Sequence, residues 1–391
     1  MVTGTVRVSA DPDRVGKEGP RNMPRIDAFL KIMQQSGASD LHLGDGYSPF
    51  LRMHGVLEST QHRVFTPEEV KILFFEMLTD AQIRELEDAG EIDIMYELRD
   101  VARFRINIYK KHVGLAGAFR IIPTKIPTLA GLGFPETIKN LLSQRSGLIL
   151  VTGPTNSGKT TTLAAMVDHL NETRNHHIIT LEDPLEYVHT NKNCLINQRQ
   201  IGQHSRSFAK GLRSALREDP NVVLVGEMRD NETISLALTA AETGLLVLGT
   251  LHTKSAAQTV SRIVDAFPAN QQDQVRMALS EVLVGVVSQQ LVKRADGSGR
   301  IAALEIMIRT PAIGNLIRES KTQQIGNAIA TGRALGMQKL EHHLRDLVSR
   351  KIINPEEAAL HAENPQEFLV ARKDAPADKL PPPRTSSKES P

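Results

Sequence analysis

The nine residues Gly153, Pro154, Thr155, Asn156, Ser157, Gly158, Lys159, Thr160 and Thr161 constrain this chain more than any other stretch. They satisfy G-x-x-x-x-G-K-[ST], with Gly153, Gly158, Lys159 and Thr160 at the fixed positions. The apolar run from Gly147 to Thr152 precedes them and reads as a buried parallel strand. A helix is expected to follow, because Leu163, Met166, Val167 and Leu170 recur at i, i+3, i+4 and i+7. Strand, glycine-rich loop and helix, in that order, turn a short pattern into a phosphate site. The loop N–H groups and the helix N-terminus would face the phosphates, and Lys159 would place its charge near the β and γ oxygens. Thr160 would offer its hydroxyl to Mg²⁺. The expectation is a chain that binds a nucleoside triphosphate.

Composition narrows the class. At 391 residues the chain has room for two domains with cores of their own. Its 47 basic and 45 acidic side chains leave a net charge of +2, too small a bulk field to draw nucleic acid. The single cysteine, Cys194, rules out an intramolecular disulfide and any multi-cysteine zinc site, and is expected in a core. No apolar run approaches the roughly 20 residues of a membrane span, and no secretory signal is visible at the N-terminus. A cytoplasmic protein without a direct membrane span is expected.

Residues 1–24 mix charge, Gly and Pro and are expected to form a flexible tail. A smaller α+β domain is expected over 25–121. Its opening helix would carry Ile26, Phe29, Leu30 and Met33, and a long helical stretch would run from Pro67 to Leu86. Strands are expected at Asp40–Leu43, Pro49–Met53, Ile92–Glu97, Phe104–Tyr109 and Gly117–Ile122. The proline-bearing stretch 122–130 reads as a linker. Beyond it, 131–370 alternates strand and helix. Apolar strands are expected at Gly147–Thr152, His177–Glu182, Val222–Gly226, Leu245–Thr250 and Val286–Val292, and the region from about Thr310 to Phe368 is expected to be helical. Runs of this kind indicate a parallel sheet covered on both faces, although the Gln pair inside the last one sits oddly with burial. Residues 371–391 are rich in Pro, Lys and Ser and are expected to be disordered.

Hydrolysis needs a held Mg²⁺ and an oriented water. The strand Val222–Val225 ends in Gly226-Glu227, which puts a carboxylate at the sheet edge where α/β folds bind ligands. Another strand ends in Glu182-Asp183-Pro184-Leu185-Glu186, offering three more. Glu182 serves equally well as a capping or turn residue. His252 closes a further apolar strand at that edge, where it is either structural or a reporter of the γ-phosphate. Arg103 and Arg105 alternate with Phe104 and Ile106, so both guanidiniums share one strand face. Such a pair neutralises a γ-phosphate held elsewhere, or is an ordinary solvated face. Arg213, Arg217 and Arg229 near the Glu227 strand fit structural ion pairs as well as a site.

These residues in this order resemble the secretion-type ATPases, most closely the branch that retracts type IV pili. The similarity spans roughly residues 25–370. It is carried by ASDLHLG from Ala38, RFRINIY from Arg103, GPTNSGKTTTLAAM from Gly153 and ITLEDPLEYVH from Ile179. LREDPNVVLVGEMRD from Leu216, TLHTKSAAQTVSRIVDAFP from Thr250 and LGMQKL from Leu335 extend it. The resemblance implies a PAS-like N-terminal domain, a RecA-like ATPase domain and a homohexameric ring with ATP at subunit or domain interfaces. It implies Glu186 as catalytic base, Glu227 as the metal-holding Walker B glutamate beside Thr160, and His252 as the His-box member. It further implies Arg103 and Arg105 as arginines reaching the phosphates. Rotation of domains in the ring would remove pilin through an inner-membrane platform protein, at the cytoplasmic side of the pilus base.

Three positions depart from the family pattern. Asn156 stands in place of a second loop glycine, which asparagine's tolerance of left-handed backbone accommodates. Leu245 replaces the first His-box histidine and is expected to remove a polar group from the site. Gly314 replaces the arginine of an AIRNLIRE signature tied to retraction. An accessory paralog with little hydrolysis, working beside a principal retraction ATPase, is therefore a second expectation. An assembly or type II secretion ATPase fits less well, because those relatives carry a four-cysteine metal module. A nucleic-acid motor lacks the basic, aromatic-rich surface it needs.

Overall fold

The computed structural model describes residues 24–370, apart from positions 54, 100, 123 and 124. The expected N-terminal tail save its last residue, the C-terminal tail 371–391, and Pro123 and Thr124 of the expected linker lie outside the described residues. The chain divides into two units between Ile126 and Pro127, with the short segment Glu186–Val188 grouped with the first.

The first unit opens with helix α1 (Ile26–Gln35), whose Ile26, Phe29, Leu30 and Met33 are all buried. Strands β1 (Asp40–Gly44), β2 (Phe50–Met53) and β3 (Val56–Ser59) follow, then helices α2 (Pro67–Phe75) and α3 (Asp80–Ala89). The single helix expected over Pro67 to Leu86 is thus two. The first ends at Phe75, and Thr79 starts the second, because its hydroxyl accepts from the Gln82 N–H while the Gln82 side chain accepts from the Thr79 N–H. Strands β4 (Glu91–Leu98), β5 (Ala102–Lys110) and β6 (Leu115–Ile122) complete an antiparallel sheet in the order β3-β2-β1-β6-β5-β4. Strand β3 was not expected; its Val56 and Leu57 are exposed, so it carries no burial pattern to read.

The second unit begins with α4 (Glu136–Leu142) and β7 (Gly147–Thr152), every residue of which is buried. Next come α5 (Lys159–Thr173), β8 (His177–Glu182), β9 (Leu195–Gln200), α6 (Phe208–Ala215) and β10 (Val222–Val225). They are followed by α7 (Asn231–Glu242), β11 (Leu246–Leu251), α8 (Ala256–Asp265), α9 (Gln272–Val282), β12 (Leu283–Lys293) and β13 (Arg300–Ile308). Helices α10 (Pro311–Arg318), α11 (Ile325–Thr331), α12 (Leu340–Ser349), α13 (Pro355–His361) and α14 (Gln366–Val370) close the unit.

The sheet order is β13-β12-β7-β11-β10-β8-β9, parallel throughout except that β13 pairs antiparallel with β12. Helices cover both faces, which is why β7, β10 and β11 are buried from end to end and mostly apolar. Two strands escaped the sequence reading. Strand β9, with the sequence LINQRQ, is a polar edge, and β13 begins exposed at Arg300. Cys194 lies buried just before β9, its thiol donating to the Arg174 carbonyl at 3.1 Å. An α+β domain followed by a RecA-like α/β domain is the expected architecture, and it is the observed one.

Candidate nucleotide site

Three parallel strands end side by side at one edge of the second sheet, and each delivers part of the site. Strand β7 delivers the loop. Gly153 takes φ 148°, and a Cβ there would lie 2.2 Å from the Gln289 carbonyl oxygen, so only glycine fits. Asn156 takes φ 63°, the left-handed conformation that asparagine tolerates. Gly158, at φ 87°, turns the chain into α5, whose first N–H groups have no intrahelical partner and form an anion-binding end. The Lys159 ammonium donates to the carbonyls of Gly153 at 2.9 Å and Pro154 at 3.0 Å. Burial lowers its pKa, and the negative charge of Glu227 works in the opposite sense.

Strand β10 delivers the carboxylate. It is prolonged by Gly226, whose N–H bonds the Leu181 carbonyl at 2.7 Å, and by Met228, whose N–H bonds the Thr250 carbonyl at 3.0 Å. Glu227 is thereby fixed between β8 and β11. Its Oε1 stands 3.0 Å from His252 Nε2, which β11 delivers, and also pairs with the Arg229 guanidinium. The lysine, the carboxylate and the histidine expected at one edge are therefore brought to that edge.

The other candidates have surroundings of their own. Glu182 is buried, accepting from Thr180 Oγ1 at 2.6 Å and Gln198 Nε2 at 3.2 Å, so it acts as a hydrogen-bond acceptor inside the sheet. Asp183 is exposed and Glu186 half-buried in the segment past β8. Arg213 pairs with Glu232 at 2.8 Å between exposed side chains, an ordinary surface contact. In the first unit, Arg103 and Arg105 do share one face of β5, opposite the fully buried Phe104 and Ile106. Arg103 pairs with Glu97 at 2.9 Å and Arg105 with Asp93 at 3.8 Å, both on the neighbouring β4.

One expectation about the departures from the family pattern changes. Leu245 does not take a polar group away from the phosphate edge. It precedes β11, packs against the core, and its carbonyl bonds the N–H of Gly147 at 2.9 Å. At about 3.3 Å per residue it lies roughly 20 Å from His252, at the opposite end of the strand. Gly314 is buried on α10, and a Cβ there would come within 3.3 Å of Arg309 Nε. Arg309 itself donates to the Ser280 carbonyl near the end of α9 at 2.9 Å. The Arg309 guanidinium therefore packs over Gly314.

The sequence reading missed Gln289. It is 2% exposed, and its amide donates to the Ser157 carbonyl at 2.6 Å and accepts from Thr162 Oγ1 at 2.8 Å. Beside it Ser288 and Thr152 share a hydrogen bond of 2.8 Å. The signal was the Gln pair in an apolar run, since a buried amide needs partners.

A glycine-braced loop with its lysine, feeding a helix at the carboxyl edge of a parallel sheet, places the second unit among the P-loop nucleoside triphosphatases. The chain as a whole belongs to the Type II/IV secretion system protein family, which matches residues 21–374. It is 50% identical to the type IV pilus retraction ATPase PilT of Pseudomonas aeruginosa, covering 88% of this chain and 99% of that protein. It is 34% identical to the type IV pilus ATPase PilU of the same organism, covering 88% and 90%. Among solved structures, the pilus retraction motor PilT with bound ADP superposes with a TM-score of 0.80 at 43% identity, covering 86% of this chain and 98% of that one. The Legionella pneumophila ATPase DotB does so at 0.77 and 28% identity, covering 88% and 97%. None of the described helices is long and apolar enough to cross a membrane.

Proposed function

We propose that this protein is an ATP-hydrolysing motor that powers type IV pilus retraction by driving pilus disassembly. One observation carries the reading: Lys159 in its braced loop and the Glu227–His252 pair, 3.0 Å apart, share one edge of a chain 50% identical to a retraction ATPase over nearly all of that protein. The loop N–H groups and Lys159 bind the phosphates. The oxygens of Thr160 and Glu227 suit Mg²⁺, which when bound neutralises charge between the β- and γ-phosphates. Glu186 takes the proton of the attacking water. His252, tied to Glu227, couples the γ-phosphate position to the carboxylate. Arg103 and Arg105 exchange their β4 carboxylates for phosphate oxygens of a nucleotide held by a neighbouring protomer in a homohexamer. The ring works at the cytoplasmic side of the inner membrane, against a platform protein at the pilus base.

The test is Mg-ATP turnover measured together with the light-scattering mass. Glu186→Gln is expected to retain ATP while turnover falls on the order of 10² to 10⁴-fold. Unchanged turnover would remove Glu186 from its role. An accessory ring subunit with little hydrolysis remains a second reading, favoured by Gly314 alone now that Leu245 lies far from the phosphates. Background turnover in an assembled ring would select it.

A further inference from the structure

Strand β12 outlasts its neighbour. Its register with β7 ends at Ser288 opposite Thr152, where β7 gives way to the loop. Gln289, still paired with Leu304 of β13 on its other side, is therefore the first residue of β12 to face the loop where β7 would be. It meets the loop at three places: its carbonyl oxygen fills the space above Gly153, its Nε2 holds the Ser157 carbonyl, and its Oε1 holds the Thr162 hydroxyl in the first turns of α5. A Cβ on Gly158 would lie 3.2 Å from that same Nε2, so the amide is packed against the loop as well as bonded to it.

The bond to Ser157 has a geometric consequence. The Ser157 carbonyl and the Gly158 N–H belong to one planar trans peptide and point in opposite directions. An amide that pins the carbonyl toward β12 therefore turns the Gly158 N–H away from β12, to the opposite side of the peptide. Thr162 in turn stops the amide from rotating. We propose that Gln289 is a positioning residue for nucleotide binding, which sets the direction of the Gly158 N–H by holding the Ser157 carbonyl. The proposal rests on the reading of this loop as a nucleotide site. Its ligand is the diphosphate of a nucleoside di- or triphosphate, and Gln289 acts on it only through the loop.

The experiment compares wild type with Gln289→Leu, which keeps volume and removes both hydrogen bonds, in the full chain. ADP affinity, KM for ATP, kcat, and melting with and without ADP are measured. Expected are ADP and ATP constants weakened about 10-fold, the equivalent of one well-made hydrogen bond, with kcat at saturation within about 3-fold. The ligand-free melting temperature falls as well, because the Ser157 carbonyl and the Thr162 hydroxyl lose a buried partner, and the ADP-induced shift shrinks on top of that fall. Wild-type affinities in Gln289→Leu would overturn the proposal, as would an equal loss in kcat with KM unchanged. If Gln289→Leu does not fold, Gln289→Glu decides, because it keeps the bond to Thr162 but sets a carboxylate against the Ser157 carbonyl. Weakened ADP binding in that variant supports the proposal and unchanged binding overturns it. Wild type that fails to bind ADP overturns the nucleotide reading instead.

Discussion

The phosphate loop of the second unit and the arginine face of the first are held by opposite means. The loop is braced from within the core, by a 2%-exposed amide, a glycine that admits no side chain, and carbonyls that receive Lys159. Arg103 and Arg105 lie on an open sheet face, and their partners Glu97 and Asp93 are each 60% exposed. Buried polar groups lose heavily when one partner is removed, whereas exposed ion pairs contribute ~1 kcal/mol or less. The loop is thus built to keep one shape. The arginines can change partners at little cost, which the proposed exchange of carboxylate for phosphate requires.

The largest test of that contrast falls on the arginines. Arg103→Ala and Arg105→Ala are each expected to depress turnover in the assembled ring by at least roughly 10²-fold, toward the range of a lost arginine finger. Unfolding free energy should meanwhile move by less than about 1 kcal/mol. Turnover and denaturant melts on the same samples check this, and unchanged turnover in both would make the pair an ordinary solvated face.

Gly153→Ala should show the reverse pattern, with stability lost along with binding. The added methyl meets the Gln289 carbonyl at 2.2 Å on a backbone at φ 148°, so a loss of at least ~2 kcal/mol is expected. A melting temperature equal to wild type would mean the loop yields more easily than its packing implies.

The smallest effect concerns Glu305 on β13, which accepts from the Ala256 N–H at 2.8 Å and so ties down the start of α8, just past His252. Burial pushes its pKa up to about 7; the Ala256 N–H opposes that, Glu341 and Glu363 add to it, and Lys339 counters them. Between its ordinary 4.5 and about 7 the folded protein keeps a proton that the unfolded chain releases. Stability from this group is full below that window and is lost as pH rises through it, on the order of 1 kcal/mol or more. Glu305→Gln should flatten the melting-temperature profile across the window. A profile that keeps its slope in the variant would assign the effect to other groups.

Much of this was legible in the sequence, for identifiable reasons. Strands β7, β10 and β11 are buried on both faces, so their apolar runs announced themselves, and Glu227 and His252 followed because they end those runs. The alternation around Arg103 and Arg105 fixed their shared face. Edge strands failed for the converse reason: β3 and β9 bury too little to leave a pattern. Leu245 was misplaced because spacing along a strand says nothing of which end faces the ligand; only the pairing of Leu246 with Gly147 and of Leu251 with Thr152 does. Gln289 was visible only as an oddity. Its meaning lies in partners more than a hundred residues away, at Ser157 and Thr162.

Cys194 has a practical consequence for following such a motor. It is the only thiol in the sequence, and it sits buried against the Arg174 carbonyl. Maleimide dyes should pass over it in the native protein. One cysteine introduced on β5 and another on α8 would then carry a donor and an acceptor without any background substitution. Fluorescence transfer between them could time movements of the two units during ATP turnover.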